Sequence, residues 1–306
     1  MTGPDHTAAA APSLVHAWVL AARPKTLPAS AVPVFVGSAV AAAEGRFALL
    51  PAAVALVCAL LIQVGVNLAN DYFDFLKGAD TDKRLGPVRV TQSGLIPPRT
   101  VRAAMILVLG ITFVLGLVLV ARAGWPILVV GLVSIFCAVI YTAGPFALAY
   151  NGLGDIFVFV FFGVVAVTCT HYVQALEWSR AALLASLPLG AISTAILVVN
   201  NFRDIDTDTE AGKRTLAVRI GRQGTRYEFK GLLAFAWLAP LAQVLGYGAS
   251  PWLLLPLLSV PLGIRIARVL DTRTDGPALN RALAATGQLL VVYGLLLATG
   301  VLASAR

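Results

Sequence analysis

Two short polar stretches carry the residues that could do chemistry in this chain of 306 residues. The first, residues 67–89, holds four Asp residues and four Lys or Arg residues. The second, residues 200–214, repeats the theme and reads N-N-F-R-D-I-D-T-D-T-E-A-G-K-R. Each stretch follows a long apolar run. Carboxylates at the end of a membrane helix are costly, so two such clusters point to a function that needs them.

The spacing of the polar residues places them on helix faces. In the first stretch four of them recur at three- or four-residue intervals: Asn67, Asn70, Asp71 and Asp74. In the second stretch Asp204 and Asp208 are four residues apart, and Asn201 lies one turn before them. Residues three or four apart share one face of a helix. Each cluster is therefore expected to point several oxygen atoms in one direction.

Such clusters need positive charge, because helix C-termini already carry partial negative charge. Oxygen ligands without His or Cys suit a hard cation such as Mg²⁺, which proteins usually hold through a few carboxylates together with substrate phosphates. The neighbouring Lys and Arg residues suit the same phosphates. The pattern predicts an anionic diphosphate on an apolar carrier, with diphosphate leaving an allylic cation that must be shielded from water.

The composition defines the class of protein that must position these clusters. Hydrophobic residues make up 58% of the chain, charged residues only 12%, and the mean hydropathy is +0.85. Soluble domains carry about 25% charged residues, so we predict a polytopic membrane protein in contact with the lipid bilayer. The net charge is +8, and the Lys and Arg residues that produce it lie between the apolar runs. Membrane orientation explains it better than nucleic acid does, and we expect no nucleic-acid partner.

About nine apolar segments are long enough to span the bilayer. They cover approximately residues 27–43, 48–76, 100–121, 125–142, 153–174, 181–202, 227–247, 251–270 and 281–303. We predict a disordered tail at 1–16 and a single transmembrane domain at 17–306, with acidic-motif halves at about 17–150 and 151–306. Most of the 23 Lys and Arg residues fall on one side if the N-terminus is cytoplasmic. The positive-inside rule then places both acidic clusters in the cytoplasm.

Several motifs in order resemble one known family. They are R-P-K-T-L-P-A-S at 23–30, N-D-Y-F-D with K-G-A-D at 70–80, R-L-G-P-V-R at 84–89, Y-T-A-G-P at 141–145, G-L-G-D-I-F-V-F-V-F-F-G at 152–163, and N-N-F-R-D-I-D-T-D-T-E-A-G-K-R-T-L at 200–216. The chain resembles the UbiA superfamily of intramembrane prenyltransferases, and within it the menaquinone branch. One departure concerns the first motif, N-D-x-x-D-x-x-x-D, because Gly78 replaces its last Asp and Asp80 follows two residues later.

The resemblance implies an all-α bundle of about nine transmembrane helices with a central cavity open to the cytoplasmic side. It implies transfer of a polyprenyl group from polyprenyl diphosphate to 1,4-dihydroxy-2-naphthoate, with Mg²⁺ as the cofactor. The acceptor would lose CO₂, giving demethylmenaquinone for menaquinone synthesis. The expected location is the bacterial inner membrane, as a multi-pass protein.

The resemblance also implies roles for individual residues. As metal ligands it implies Asn70, Asp74, Asp80, Asp204 and Asp208. As catalytic residues it implies Asp71, Asp74, Asp204 and Asp208, with Asp71 in support. As diphosphate-binding residues it implies Lys77, Arg84, Arg89, Lys213 and Arg214. As acceptor-binding residues it implies Arg23, Lys25, Tyr141 and Asn201. Arg23 and Lys25 are also typical of positive-inside anchors, and Tyr141 is also typical of an interfacial aromatic residue.

Three other functions remain open. The first is prenyl transfer to another aromatic acceptor, such as 4-hydroxybenzoate. The second is cation-coupled transport, although transporter sites usually lie near the bilayer midplane and these acids lie at one face. The third is binding of a prenyl diphosphate without catalysis, which intact acidic motifs disfavour.

Overall fold

The chain forms an all-helical bundle in a computed structural model that describes residues 13–79 and 85–305. Within those residues there is no β-strand. The α-helices are α1 Leu14–Ala22, α2 Leu27–Ala43, α3 Leu49–Leu76, α4 Pro98–Ala123, α5 Trp125–Ile140, α6 Gly154–Val158, α7 Ala166–Ala175, α8 Arg180–Glu210, α9 Leu216–Tyr247, α10 Val260–Thr272 and α11 Gly276–Ser304. A π-helical segment, Phe159–Val165, joins α6 to α7, and a 3₁₀ segment, Pro251–Ser259, leads into α10.

Eight of the described helical segments are long and apolar enough to cross a membrane. A further apolar helix, α5, has only 16 residues and is shorter than a typical span. The protein is therefore a multi-pass membrane protein, as predicted, while the count of nine spans stays a prediction. Large apolar side chains such as Leu107, Phe136 and Leu295 are exposed on the outside of the bundle, as expected for a lipid-facing surface.

Two predicted boundaries need correction. Residues 14–16, which we placed in the N-terminal tail, belong to α1, where Ser13 caps the helix by accepting a hydrogen bond from the His16 amide. The remainder of the predicted tail, residues 1–12, lies outside the described residues. The segment expected to end at residue 202 continues as α8 to Glu210. The second acidic motif is therefore helical, which agrees with the four-residue spacing of Asp204 and Asp208.

The main hydrophobic core surrounds α8. Its fully buried side chains include Leu189, Ile192 and Phe202, and residues of α2, α9, α10 and α11 pack around them. A second cluster joins α1, α3 and α4 through residues such as Leu68 and Val101. The two acidic motifs thus lie on helices of different core clusters. Because α2 packs in the cluster of α8, the packing does not divide at residue 150.

Helix α8 crosses the π-helical segment at a pair of glycines. A Cβ atom on Gly163 would lie 2.5 Å from the Cα of Gly190, and one on Gly190 would lie 2.8 Å from the carbonyl oxygen of Phe159. Real Cβ atoms do not approach so closely, so glycine at both positions permits this backbone contact. Close helix crossings through small residues are typical of membrane proteins. This crossing fixes the start of α6 against α8, where the polar residues gather.

Candidate active site

A polar chamber of about 170 Å³ lies where the ends of α3 and α8 meet. Both acidic motifs contribute to its wall. Among the predicted site residues it is lined by Arg23, Asn70, Asp74, Arg89, Tyr141, Asn201, Asp204, Asp208 and Lys213. The structure therefore brings residues of both acidic motifs to the wall of one chamber.

Asp74 of the first motif accepts hydrogen bonds from an arginine and a tyrosine. Its Oδ2 accepts a hydrogen bond from Nη2 of Arg89 at 3.0 Å, and its Oδ1 accepts one from the Tyr150 hydroxyl at 2.7 Å. Asp74 and Arg89 are only 4% and 7% exposed. A buried carboxylate is tolerated when cations and donors compensate its charge, which is the case here.

Lys213 connects the two motifs. Its Nζ lies 3.5 Å from Oδ1 of Asp74 and 3.7 Å from Oδ1 of Asp208. The lysine follows the end of α8, and the backbone amide of its neighbour Arg214 donates to the Tyr150 carbonyl at 2.9 Å. One cation thus balances one carboxylate from each half of the site.

Tyr150 places two lysines beside the chamber and was not predicted from the sequence. The Nζ of Lys77 lies 4.1 Å from its ring centroid, and the Nζ of Lys213 lies 4.8 Å from it. Both distances are within the range of a cation–π contact. Lys77 also donates to the carbonyls of Thr142 and Gly144 at 2.6 and 3.0 Å. Lys77 does not line the chamber itself.

Lys77 stands just past the end of α3, where its electrostatic surroundings are mixed. Burial lowers the pKa of Lys77 below its usual value. The nearby Asp74 carboxylate opposes this change, and the like charge of Lys213 adds to it. Burial disfavours the charged form of Lys77, and a bound anion would stabilise that form.

Asp204 is held by the residue next to it in the chain. The guanidinium of Arg203 forms two hydrogen bonds to its carboxylate, at 2.7 and 2.6 Å. The same guanidinium donates to Asn280 of α11 at 2.7 Å and to Asn200 at 3.0 Å. Arg203 is only 2% exposed and was not among the predicted site residues. The two hydrogen bonds from Arg203 use one acceptor position on each oxygen of Asp204. Asp204 still lines the chamber.

Asp71 has a different environment from the other motif carboxylates. Its oxygens accept hydrogen bonds from the backbone amides of Val90 and Thr91, at 3.2 and 2.9 Å. It is 1% exposed and does not line the chamber. Asp71 therefore anchors the loop that carries Arg89. Its predicted supporting role among the catalytic residues stays a prediction.

The Asn residues of the first motif also fix neighbouring segments. Asn70 lines the chamber, and its amide oxygen accepts a hydrogen bond from the Thr142 hydroxyl. Asn67 donates to the carbonyl of Ala22 at 2.9 Å and to the hydroxyl of Thr26 at 3.0 Å. These contacts hold the turn between α1 and α2 against α3.

Arg23 enters the chamber from that turn. Its φ of 50° and ψ of 68° lie in the left-handed region, which non-glycine residues adopt infrequently. The conformation ends α1 and lets the side chain reach the chamber wall. Strained backbone of this kind is often found at functional sites.

Several predicted residues are not brought to the chamber. Lys25 and Arg214 are exposed and do not line it. Asp80 and Arg84 lie outside the described residues, so their predicted roles in metal and diphosphate binding are not addressed by the structure.

An apolar cavity of about 360 Å³ adjoins the polar chamber. Asn70 and Tyr141 line both spaces and mark the junction. The cavity wall comes mainly from α3, α4, α5 and the helix of residues 154–175. Helix α5 packs against α3 and α4 but is scarcely in contact with the 154–175 helix, and the cavity lies between them. Phe113 and Leu132 both line it and are exposed, so it reaches the lipid-facing surface.

The oxygen atoms that line the polar chamber are ligands of the kind that hard divalent cations prefer. Carboxylate and amide oxygens line it, and no Cys or His does so among the described residues. Within the described chain no three acidic, His or Cys side chains come close enough to hold a metal ion by themselves. That arrangement suits Mg²⁺, which proteins usually hold through one or two carboxylates together with substrate phosphates.

Comparison with known proteins identifies the family. The model of the UbiA prenyltransferase family matches residues 30–293. A 1,4-dihydroxy-2-naphthoate octaprenyltransferase of Mycobacterium tuberculosis is 41% identical over 281 residues, covering 92% of this chain and 95% of that protein. The enzyme of the same name from Escherichia coli strain K12 is 38% identical, covering 95% and 97%. The chain belongs to the UbiA prenyltransferase family.

The fold comparison agrees with this assignment. A UbiA homolog from Archaeoglobus fulgidus, whose structure was solved bound to DMAPP and Mg²⁺, superposes with a TM-score of 0.63. The superposition covers 92% of this chain and 98% of that protein at 14% sequence identity. The predicted all-α, UbiA-like architecture is confirmed.

Proposed function

We propose that this protein transfers a polyprenyl group from polyprenyl diphosphate to 1,4-dihydroxy-2-naphthoate. The products are diphosphate, CO₂ and demethylmenaquinone, an intermediate of menaquinone synthesis. The activity is that named for relatives that match nearly the whole chain. The structural observation that carries it is the junction of a charged chamber with an apolar cavity at Asn70 and Tyr141.

The two spaces match the two parts of a prenyl diphosphate. The diphosphate fits the polar chamber, where Arg23, Arg89 and Lys213 offer positive charge. The polyprenyl chain fits the apolar cavity, which reaches the lipid-facing surface and thus the bilayer in which such chains dissolve. The bond that breaks would then lie at the junction of the two spaces.

We propose Mg²⁺ as the cofactor, held by Asn70, Asp74, Asp204 and Asp208 together with the diphosphate. When bound, the ion would neutralise the charge that develops on the leaving diphosphate. The solved Archaeoglobus homolog carries Mg²⁺, which supports this choice. Lys77 and Lys213, which both lie against the Tyr150 ring, would balance the remaining negative charge.

The apolar walls would exclude water from the allylic cation, which reacts with water readily. The ring of Tyr141 lies at the junction, and its π face would stabilise positive charge there. The electron-rich ring of the acceptor would approach past Tyr141 and Asn201 and attack the cation. Arg23 is placed to meet an anionic group of either substrate.

For location we propose the bacterial inner membrane, with the N-terminus and the chamber on the cytoplasmic side. The cluster of Lys and Arg residues near the motif end of the bundle supports this orientation. We further propose one transmembrane domain over residues 17–306, because α2 packs with the helices of the second half and joins the two halves.

The test is an assay of the purified protein with Mg²⁺ and octaprenyl diphosphate. It compares 1,4-dihydroxy-2-naphthoate with 4-hydroxybenzoate and measures prenylated product and released CO₂. We expect product and CO₂ in equal amounts from the naphthoate and little product from the benzoate. Preference for 4-hydroxybenzoate, or substrate binding without product, would refute the proposed function.

A further inference from the structure

Asp155 is a buried carboxylate that neither acidic motif includes. It belongs to the G-L-G-D sequence at residues 152–155 and lies in the first turn of α6. Asp155 is 7% exposed, and it lines the polar chamber. In the part of the chain that the structure describes, no other residue donates a hydrogen bond to its carboxylate. A buried carboxylate that receives no hydrogen bond from another residue is uncommon, so this one requires an explanation.

The position of Asp155 is fixed by its backbone. Its carbonyl accepts a hydrogen bond from the Thr194 hydroxyl of α8 at 3.3 Å. The preceding residue is Gly154, where a Cβ atom would lie 3.0 Å from the Tyr141 hydroxyl. The absence of a side chain at Gly154 thus lets Tyr141 pack beside Asp155. A carboxylate held this firmly is suited to a defined contact with a substrate.

Asp155 stands where the polar chamber gives way to the apolar cavity. Two residues further along the same helix, Phe157 lines the cavity, followed by Val158. Tyr141, which lines both spaces, is its neighbour. In the proposed reaction the allylic carbon and the acceptor ring meet at this junction. The acceptor's ring hydroxyl is the group there that would satisfy an unpaired carboxylate.

We propose that Asp155 is a catalytic residue that binds a ring hydroxyl of the aromatic acceptor and takes its proton as the ring attacks. This inference rests on the proposed function and goes beyond it, because it names the group that activates the acceptor. The two acidic motifs would bind the polyprenyl diphosphate, whereas Asp155 would bind and deprotonate the aromatic acceptor.

The step balances without any further reactant. The C–O bond to diphosphate breaks, and a C–C bond forms between the allylic carbon and the ring carbon that carries the carboxylate. The electrons come from the ring and the adjacent hydroxyl, whose proton moves to Asp155, leaving a ketone. Loss of CO₂ returns its electron pair to the ring, and Asp155 gives the proton back to the oxygen. The products are diphosphate, CO₂ and the prenylated diol.

The test compares Asp155→Asn with Asp155→Glu and the control Asp271→Asn in the full-length protein. Asn is close to Asp in size but cannot take the proton. Asp271 is an exposed carboxylate on α10 that pairs with Lys230 and lines neither space among the described residues. Three quantities are measured: kcat with 1,4-dihydroxy-2-naphthoate, its pH profile, and Mg²⁺-dependent binding of octaprenyl diphosphate.

We expect Asp155→Asn to lower kcat by about 100-fold or more, the usual contribution of a general base. Octaprenyl diphosphate binding should stay within about twofold of wild type. The rate of Asp155→Asn should rise about tenfold per pH unit at alkaline pH, because the acceptor hydroxyl then ionises by itself. Asp155→Glu should be at least about tenfold faster than Asp155→Asn, and Asp271→Asn should resemble wild type.

Four results would overturn the assignment: wild-type turnover in Asp155→Asn, loss of diphosphate binding in that variant, a pH profile parallel to wild type, or a Glu variant as slow as the Asn variant. Failure of the wild-type protein to prenylate the naphthoate would instead refute the proposed function. The same variants assayed with whichever hydroxylated acceptor is prenylated would then decide the role of Asp155 separately.

Discussion

At the scale of single residues, Tyr150 contacts one carboxylate and two lysines of the site. Its hydroxyl donates to Asp74, while Lys77 and Lys213 lie against its ring. Residues that orient a metal-binding carboxylate commonly affect metal affinity although they do not touch the metal. Tyr150 is therefore expected to tune the site through Asp74.

We predict that Tyr150→Phe raises the Mg²⁺ concentration for half-maximal activity by about 10-fold. The ring and its lysine contacts remain, but the hydrogen bond to Asp74 is lost. The measurement is a Mg²⁺ titration of activity. Tyr72→Phe is the control, because Tyr72 lies within the first motif on α3 and its hydroxyl makes no hydrogen bond within the described residues. Equal Mg²⁺ dependence in both variants would contradict the role of Tyr150.

Spacing along the chain predicted some of these residues and not others. Asp74, Asp204 and Asp208 were identified because helical periodicity places them on one face of their helices. Tyr150 is 76 positions from Asp74, and nothing in its local sequence indicates that contact. The hydrogen bonds from Arg203 to Asp204 were missed for a related reason. The Arg203 guanidinium is also held by Asn280, which lies on α11. Long-range contacts depend on the packing of helices and not on local patterns.

At the scale of helices, the crossing of α8 with the π-helical segment sets the geometry of the site. Gly163 and Gly190 permit the backbones to touch. Helix α8 then carries Asp204 and Asp208 on its last turns, and α6 begins beside it with Asp155. The apolar segment was predicted to end at residue 202, where the polar residues begin, but the helix continues through them to Glu210.

We predict that Gly163→Ala destabilises the protein by about 1–3 kcal/mol, the usual cost of overpacking. The new methyl group would lie 2.5 Å from the Gly190 Cα. Thermal unfolding in detergent measures the effect. Gly110→Ala on α4 is the matched control, because a Cβ atom there meets nothing within 4 Å. Similar melting temperatures for both variants would show that the crossing is looser than described.

At the scale of the whole molecule, the bundle has two chemically different ends. Asp74, Asp204 and Lys213 lie at the end where α3 and α8 finish. The start of α8 lies about 45 Å away along the helix axis, given its 31 residues. Glu177 lies near that start and forms an ion pair with Arg46 at 3.5 Å.

We predict that an impermeant thiol reagent labels Glu177→Cys in intact cells and labels Arg214→Cys only after permeabilisation. Both positions are exposed, at opposite ends of α8. The three native cysteines lie inside apolar segments and are buried or half-buried, so a cysteine-free background is the control. Labelling of Arg214→Cys from outside intact cells would contradict the proposed orientation.

The central claim is that two motifs from opposite halves of the chain form one diphosphate site, bridged by Lys213. Mg²⁺-dependent binding of octaprenyl diphosphate to Asp74→Asn, Asp204→Asn and the double variant tests it most directly. Asp206→Asn is the control, because Asp206 is exposed and pairs with Arg222. We predict a loss of at least about 10-fold for each single variant, with the double variant little worse than either, since coupled residues are not additive. The account would be contradicted if the loss of affinity in the double variant equalled the product of the two single losses. Wild-type binding in either single variant would contradict it as well.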